Sequence, residues 1–172
     1  MEDSCTNGKQ WFALYTKPRH EFKAALQLES ILIEHYLPTL TRVKKWSDRK
    51  KKVTEPLFRG YIFIHADDKE RYHAIAQKAI VRCISFNGKP SVIPAWQIEN
   101  LKIMLTQSPD VFVSAKIEVG TKVKIIEGPF KDAIGVVNCE QEEKWFAVSV
   151  ELIHRSIMVR LPIESVVKFL EN

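Results

Sequence analysis

Leu57-Phe58-Arg59-Gly60-Tyr61-Ile62-Phe63-Ile64-His65 is a dense apolar stretch with one internal glycine, and it decides the fold. Aromatic and β-branched residues in such a run predict a strand buried in a sheet. Because side chains alternate along a strand, Tyr61 and Phe63 share one face, and Ile62 and Ile64 share the other. Only one of these pairs can lie beneath helices, and the sequence leaves open which pair does.

On the N-terminal side of this strand, the sequence predicts a second strand followed by a helix. The run from Trp11 to Thr16 is apolar and aromatic, and it stops at Lys17-Pro18-Arg19. From Glu21 to Ile33, apolar residues recur at helical spacing, which places Glu21 on the outer side of the predicted helix.

The residues that follow the strand continue the same architecture. They predict a helix capped by Asp67 or Asp68, a strand over 80–86, a short strand over 91–93, and a third helix that begins at Pro94. The resulting order of elements favours an α+β fold, in which an N-terminal α/β sandwich has three helices and an antiparallel sheet.

The C-terminal part has a different pattern of residues, with short apolar runs and no helical period. Residues 106–118 show no period and predict a linker. Four short β-branched runs and a final one, at 121–126, 133–139, 145–152, 156–161 and 166–169, predict a small SH3-like β-barrel without a stable helical state. We therefore expect a polar leader over 1–10, a first domain over 11–105, a linker over 106–118 and a barrel domain over 119–172.

Composition restricts the class of protein. The 172 residues are 45% hydrophobic and 27% charged, as expected for a globular chain. We see neither an apolar run long enough to span a membrane nor a secretory signal, so we expect a cytoplasmic protein. The net charge of +5 is uneven: residues 1–113 have 18 Lys/Arg against 12 Asp/Glu, and residues 114–172 have 8 against 9. A basic partner surface is therefore expected in the first domain.

The residues that carry chemistry do not form a recognisable catalytic, metal or cofactor site. Cys5, Cys83 and Cys139 are far apart in the sequence and predict neither a disulfide framework nor a zinc site. The five histidines are scattered, and phosphate-binding glycine motifs do not occur. We expect a protein that is not an enzyme and that has no cofactor.

Two segments resemble a known family. The segment from Trp11 through Pro18 and Glu21, together with 56–64 and Ile93-Pro94, resembles the N-terminal domain of the NusG family. Val119-Gly120, followed by 123–130 and Gly135-Val136-Val137, is similar to a KOW motif. The two occur in the order that these bacterial transcription factors use.

This resemblance implies a transcription elongation or antitermination factor that binds RNA polymerase and suppresses pausing or termination. The basic segment 44–52, which leads into Glu55-Pro56-Leu57-Phe58, is closest to that of the specialised UpxY and RfaH-like antiterminators. Arg59 departs from the proline that many relatives have there, which adds a charge beside the expected docking surface.

In the family, the N-terminal domain docks an apolar patch on the clamp helices of the large polymerase subunit. The corresponding residues here are Tyr15, Phe58, Tyr61, Phe63, Ile98 and Leu101. Aromatic side chains offer a large contact area at low entropic cost. A core role for these residues is the open alternative. A second polymerase contact aligns with Arg71, Tyr72 and His73, which an ordinary amphipathic helix explains equally well.

Two basic clusters predict contact with nucleic acid, either non-template DNA or nascent RNA. Lys17, Arg19, His20 and Lys23 lie at the first strand-to-helix turn, where specialised relatives contact exposed DNA. The second cluster surrounds a potential stacking residue, Trp46, and its cations are Lys44, Lys45, Arg49, Lys50, Lys51 and Lys52. Solvated surface is the open alternative for both clusters.

For the barrel domain, the resemblance implies recruitment of a further protein, such as a ribosomal protein or the termination factor Rho. We expect a monomer with no membrane partner. The alternative is an RNA-binding or ribosome-associated KOW protein that does not act on polymerase. That alternative needs a basic barrel, and the excess of one acidic residue in 114–172 argues against it.

Overall fold

The computed structural model describes residues 8–45, 50–107, 111–114, 120–140, 143–162 and 165–170, without the side chains of 44, 45, 139, 140 and 143. Its helices are α1 (Glu21–Ser30), α2 (Asp68–Ile75) and α3 (Ala95–Gln107). Its strands are β1 (Gln10–Thr16), β2 (Glu34–Tyr36), β3 (Thr39–Lys45), β4 (Lys50–Pro56), β5 (Tyr61–Ala66), β6 (Ile80–Cys83), β7 (Ser85–Phe86), β8 (Lys89–Pro90), β9 (Val92–Ile93), β10 (Phe112–Ser114), β11 (Thr121–Glu127), β12 (Ile134–Glu140), β13 (Glu143–Val150), β14 (Arg155–Arg160) and β15 (Val166–Phe169).

The chain divides into two compact units. The first comprises Met1–Thr39 and Thr54–Ile93, and the second comprises Leu40–Val53 and Pro94–Asn172. This division groups α3 with the C-terminal strands, which differs from the expected boundary at residue 105.

The first unit is built on an antiparallel sheet in which the strand order is β2-β5-β1-β6 and β9 also pairs with β1. Ile62 and Ile64 of β5 belong to a buried cluster with Ala24 and Leu28 of α1 and Ala74 of α2. The two isoleucines therefore face the helices, and by alternation Tyr61 and Phe63 lie on the opposite face of the sheet.

Local sequence explains where α2 begins. The Glu70 N–H donates to Asp67 Oδ1 at 2.8 Å, and the Asp67 N–H donates to Glu70 Oε2 at 3.0 Å. This capping box satisfies two backbone donors of the first turn. The start predicted at Asp67-Asp68 is thereby confirmed.

Helix α1 is shorter than predicted. It ends at Ser30, because the chain turns sharply at Leu32, whose φ is +59°. Leu32 is consequently 89% exposed. The prediction for Glu21 was also wrong: its carboxylate is buried and accepts a hydrogen bond of 2.8 Å from the Gly60 N–H. A charged side chain is compatible with burial there because a backbone donor meets it.

The second unit contains a six-stranded antiparallel sheet in the order β10-β14-β13-β12-β11-β15. The five predicted β-rich runs all form strands, since their β-branched side chains fit a pleated, buried surface. Strand β10 lies within the expected linker, where Phe112 pairs with Met158 of β14. That part of the linker expectation was wrong, because Phe112, Val113 and Ser114 add to the edge of the sheet.

Within the second unit, polar side chains connect helix α3 to the backbone of the C-terminal segments. Asn100 and Gln97 are both buried, and they hydrogen-bond to the backbone of Ile134 and Glu151, respectively. The chain has the predicted α+β fold, with an α/β sandwich followed by a small β module. Within the described residues, no helix is long and apolar enough to cross a membrane.

Candidate nucleic-acid and polymerase interface

A pair of tyrosines marks the face of the first sheet that points away from α1 and α2. Tyr15 of β1 is the direct cross-strand partner of Tyr61 of β5, and their ring centroids are 5.6 Å apart. Arg82 lies on β6, the strand next to β1, and its guanidinium is 6.0 Å from the centroid of the Tyr15 ring. Both tyrosines are half-buried. They offer ring surface and hydroxyl groups to a partner.

The other two aromatic members of the predicted polymerase patch are not exposed. Phe63 is fully buried and Phe58 is 3% exposed, and the rings contact each other with centroids 6.3 Å apart. Phe63 lies on the same face as Tyr61 but is already covered. The expectation of an accessible surface at Phe58 and Phe63 is therefore corrected, because their apolar area is used inside the protein.

The α3 members of the predicted patch are also inaccessible. Ile98 and Leu101 are fully buried, and they belong to the second unit together with the rest of α3. The neighbouring Gln97 and Asn100 are buried too, so α3 has a wide inner face. Of the six predicted patch residues, Tyr15 and Tyr61 are the ones that keep accessible surface.

The β1–α1 turn has a defined backbone geometry. The Lys17 N–H donates to the Ala79 carbonyl at 2.9 Å, which ties the turn to the segment before β6. Arg19 adopts a left-handed conformation with a φ of +62°. The His20 ring donates from Nδ1 to the Pro18 carbonyl at 2.8 Å. The structure thus brings Lys17, Arg19, His20 and Lys23 together at the start of α1, and Lys17, Arg19 and Lys23 are exposed.

A groove of about 610 Å³ opens beside this turn. Tyr15 and Phe22 supply its aromatic walls, and Arg19 and Arg59 supply cations. Thr16 also lines it; its Oγ1 is buried, and no described group of the protein lies within hydrogen-bonding reach of that oxygen. The groove therefore combines aromatic walls with two arginines, Arg19 and Arg59, and two glutamates, Glu21 and Glu55, while the Thr16 hydroxyl lies beneath its surface.

Glu21 and Gly60 set the floor of this groove. Gly60 has a φ of +82°, and a Cβ there would lie 3.0 Å from the Tyr15 ring. The absent side chain allows the ring to lie against the backbone. The Glu21 carboxylate then holds the Gly60 N–H, so that helix α1 and the turn before β5 are joined.

Sequence reasoning missed three contributors to the groove region. Phe22, 46% exposed, was assigned no role, although it lies outside the apolar period formed by Ala24 and Leu28. Arg59 was noted only as a departure from relatives. Arg82 reaches the site through the pairing of β6 with Tyr15, which the sequence does not specify.

The second basic cluster is described only in part. Lys50, Lys51 and Lys52 are exposed on β4, which pairs with β3 in a separate two-stranded sheet. Lys44 and Lys45 lie at the end of β3, but their side chains are outside the described residues, as are Trp46 and Arg49. The described part places three consecutive lysines on one strand, so that both of its faces carry positive charge.

Of the three residues predicted to contact polymerase from α2, two are exposed and one is buried. Tyr72 is 66% exposed and His73 is also exposed, whereas Arg71 is 6% exposed. The Arg71 guanidinium lies 5.6 Å from the Phe12 ring centroid and donates to Asp68 at 2.9 Å. Burial, the largest single effect, disfavours its charge, but the hydrogen bonds to Asp68 and Tyr72 and the negative charge of Asp68 together outweigh it, so the pKa of Arg71 is raised. The expectation of a partner contact is therefore corrected for Arg71, whose side chain is used internally.

Comparison with known proteins agrees with the family resemblance. The family model described as "Transcription termination factor nusG" matches residues 9–102, more than half of the chain. The protein named transcription termination/antitermination protein NusG from Haemophilus influenzae is 26% identical over 97% of this chain and 98% of its own length. The protein of that name from Helicobacter pylori strain 26695 is 25% identical over 88% and 93%.

A solved structure described as "Domain interaction in Thermotoga maritima NusG" is 22% identical, covering 89% of this chain and 93% of its own, with a TM-score of 0.48. The family match over residues 9–102 and the near full-length relatives together define the protein class, which is that of transcription factors. The chain belongs to the NusG family of transcription termination and antitermination proteins.

Proposed function

We propose that this protein is an elongation and antitermination factor that binds RNA polymerase through its first unit and suppresses pausing or termination. The observation that carries the proposal is the half-buried Tyr15–Tyr61 pair, which lies on the face of the sheet opposite α1 and α2, beside the groove at the β1–α1 turn. Within a family of transcription factors, such an aromatic pair suits a protein-binding surface.

Tyr15 and Tyr61 would contact the clamp helices of the large polymerase subunit. The Tyr15 ring is held between Gly60 and Arg82 and contacts the Tyr61 ring, so little side-chain entropy is lost on binding. Tyr72 and His73 would provide a second polymerase contact from α2, where both are exposed.

The groove at the β1–α1 turn would hold exposed non-template DNA. Lys17, Arg19 and Lys23 supply charge to neutralise phosphates, and Phe22 supplies a ring on which a base can stack. Separately, the exposed Lys50, Lys51 and Lys52 of β4 supply a second set of cations for nucleic acid. The two basic clusters, at the β1–α1 turn and on β4, support assignment to the specialised UpxY and RfaH-like antiterminators, and they allow contact with nascent RNA as well.

The second unit would act as a KOW-type recruitment module for a further protein, such as a ribosomal protein or Rho. Its β-branched residues form strands throughout the described part, with Val123, Ile125 and Val148 fully buried. A module with a satisfied core and a solvent-facing sheet surface can bind a partner without refolding.

Co-purification with RNA polymerase tests the polymerase contact. Wild-type protein is expected to be retained by the polymerase, and Tyr61→Ala and Tyr15→Ala are expected to weaken retention about 10-fold each, because they remove interface aromatics. Phe63→Ala is unsuitable because Phe63 is fully buried.

The matched control is Phe86→Ala, which removes an aromatic ring that is 74% exposed on β7, away from the predicted contact. It is expected to bind like wild type. If Tyr61→Ala is retained as well as Phe86→Ala while both are folded, the proposed polymerase surface is wrong.

A further inference from the structure

Three side chains on the first unit form a row across neighbouring strands, which we call the contact row. It consists of Arg82 on β6, Tyr15 on β1 and Tyr61 on β5, and Tyr15 is the direct cross-strand partner of the other two. Leu14 and Cys83, which adjoin Tyr15 and Arg82 along their strands, belong to the buried cluster that includes residues of α1 and α2. The contact row therefore lies on the opposite face of the sheet.

The two tyrosines of the row are fixed by packing. Their rings meet edge-on at an angle of 68°, with centroids 5.6 Å apart, and both residues are half-buried. On its other side, the Tyr15 ring lies against the backbone of Gly60, where a Cβ would be 3.0 Å from the ring. Arg82, by contrast, is exposed, so it is the member of the row that faces solvent most openly.

The Arg82 guanidinium is oriented by a ring but is not neutralised. It lies 6.0 Å from the Tyr15 ring centroid, which is the outer limit of a cation–π contact. In the described part of the chain, Arg82 forms no ion pair with a carboxylate. A guanidinium can bind a carboxylate through two parallel hydrogen bonds. Arg82 therefore keeps the donors that such a pair needs.

Charge at this end of the sheet favours an acidic partner. Tyr15 also lines the groove at the β1–α1 turn, whose charged residues are Arg19, Arg59, Glu21 and Glu55. Glu21 is buried and already accepts the Gly60 N–H at 2.8 Å. With Arg82 added, three arginines stand against one remaining glutamate, so a carboxylate that approaches the row is attracted.

The spacing of the row matches one face of an α-helix. Neighbouring strands lie about 4.8 Å apart, so the three side chains recur at about that interval on a line that crosses the strands. Side chains at positions i, i+4 and i+7 of a helix recur on one face at about 5.4 Å, the helical pitch. A helix that crosses the strands can therefore meet all three members of the row with a single face.

We propose that the contact row binds a helix of RNA polymerase that carries a carboxylate opposite Arg82 and apolar side chains, one and two turns further along, opposite Tyr15 and Tyr61. The inference rests on the proposed polymerase contact and specifies its chemistry. Arg82 is then a specificity-determining residue that also sets the direction of the helix. A helix bound in the reverse direction would place its carboxylate at the Tyr61 end and lose the pair.

The experiment titrates purified core polymerase with the full chain, in the absence of nucleic acid, so that the basic clusters do not contribute. Arg82→Glu should bind about 10-fold or more weakly, because it places like charges together. Arg82→Gln should lie between Arg82→Glu and wild type, and Arg82→Lys should retain most of the affinity. Wild-type affinity should fall as salt rises, and this dependence should be smaller for Arg82→Gln.

Lys89→Glu is the matched control. Lys89 is exposed on β8, where it pairs with Phe86, and its replacement changes the net charge by the same amount as Arg82→Glu. Lys89→Glu should bind polymerase like wild type. Circular dichroism establishes that each variant is folded.

A charge exchange identifies the partner residue. Each aspartate or glutamate exposed on the clamp helices is changed singly to lysine, and one such polymerase should bind Arg82→Glu within about 3-fold of the wild-type pair, since the two changes are coupled. If no exchange restores binding, Arg82 acts only by orienting Tyr15 and the inference is overturned.

The same titration separates this inference from the proposed function. If Tyr61→Ala binds weakly while Arg82→Glu binds like Lys89→Glu, the inference alone is overturned and the polymerase surface stands. Wild-type protein that does not bind polymerase would overturn the proposed function and the inference together.

Discussion

The Asn100 side chain makes two hydrogen bonds to the backbone of Ile134. Its Nδ2 donates to the Ile134 carbonyl at 2.6 Å, and its Oδ1 accepts from the Ile134 N–H at 3.1 Å. The residue-by-residue pairing of β12 with β13 runs from Val136 to Glu140, so Ile134 lies beyond the end of that ladder. A helical amide thus satisfies backbone groups that the sheet leaves available.

Asn100→Ala should therefore destabilise the second unit by about 1–3 kcal/mol, because a buried backbone donor and acceptor lose their partner. Hydrogen exchange of the Ile134 amide provides a local measurement and should become faster. Asn100→Asp keeps the acceptor for the Ile134 N–H but places a carboxylate oxygen against the Ile134 carbonyl, so it should not restore the protection. Unchanged exchange at Ile134 in Asn100→Ala would contradict the role of this contact.

Gly135→Ala should destabilise the second unit by about 1–3 kcal/mol or more, because it overfills a packed site. A Cβ there would overlap the Ala147 carbonyl oxygen and lie 2.7 Å from the Phe146 ring. Urea unfolding measures the effect. Gly8→Ala is the control, because a Cβ at Gly8 meets nothing within 4 Å and should leave the unfolding midpoint unchanged.

Arg19→Gly should remove a cation from the groove without straining the turn, since glycine readily adopts the φ of +62° seen at this position. The salt slope for binding single-stranded DNA should decrease by about 0.7. Arg19→Ala should lose the same charge and keep the left-handed strain that arginine already bears, so Arg19→Gly should be about 1 kcal/mol more stable than Arg19→Ala. An unchanged slope in Arg19→Gly would remove Arg19 from the proposed DNA contact.

The Cys83 thiol should make the folded protein less stable at alkaline pH. Burial raises the pKa of Cys83, and the nearby charge of Arg71 opposes this only in part. A raised folded-state pKa means that the unfolded chain loses its proton first. The stabilisation is therefore complete below the ordinary thiol pKa and is lost as pH rises through the folded-state value.

Urea unfolding of wild type and Cys83→Ala at pH 7 and near pH 10 measures this effect. The difference in unfolding free energy between the two proteins should shift in favour of Cys83→Ala at the higher pH. A difference that is equal at both pH values would show that ionisation of Cys83 is not coupled to folding.

Periodicity in the sequence predicted most of the helices and strands, because apolar spacing reports directly on burial. The run around Ile62 and Ile64 predicted a buried strand, and the β-rich C-terminal runs all became strands. The end of α1 was not predictable, because the left-handed turn at Leu32 has no glycine to signal it. Strand β10 has three residues, too few to establish a period.

Only part of the candidate site could be predicted from the sequence. Local clustering identified Lys17, Arg19 and Lys23, since neighbours in sequence remain neighbours at a turn. The approach of Arg82 to Tyr15 depends on strand register across the sheet, which local sequence does not encode. Burial of Phe58 and Phe63 likewise depends on tertiary packing, and alternation alone specifies only which residues share a face.

The hydrogen bond from His20 to the Pro18 carbonyl determines the tautomer of the neutral ring. With the proton held on Nδ1, the other nitrogen, Nε2, is a hydrogen-bond acceptor. Within the proposed DNA contact, a neutral His20 would thus accept a hydrogen bond from an N–H group of an unpaired base, and would be mismatched with the keto oxygens of guanine and thymine. A single backbone carbonyl, two residues away, would in this way decide which atoms of a base this ring can meet.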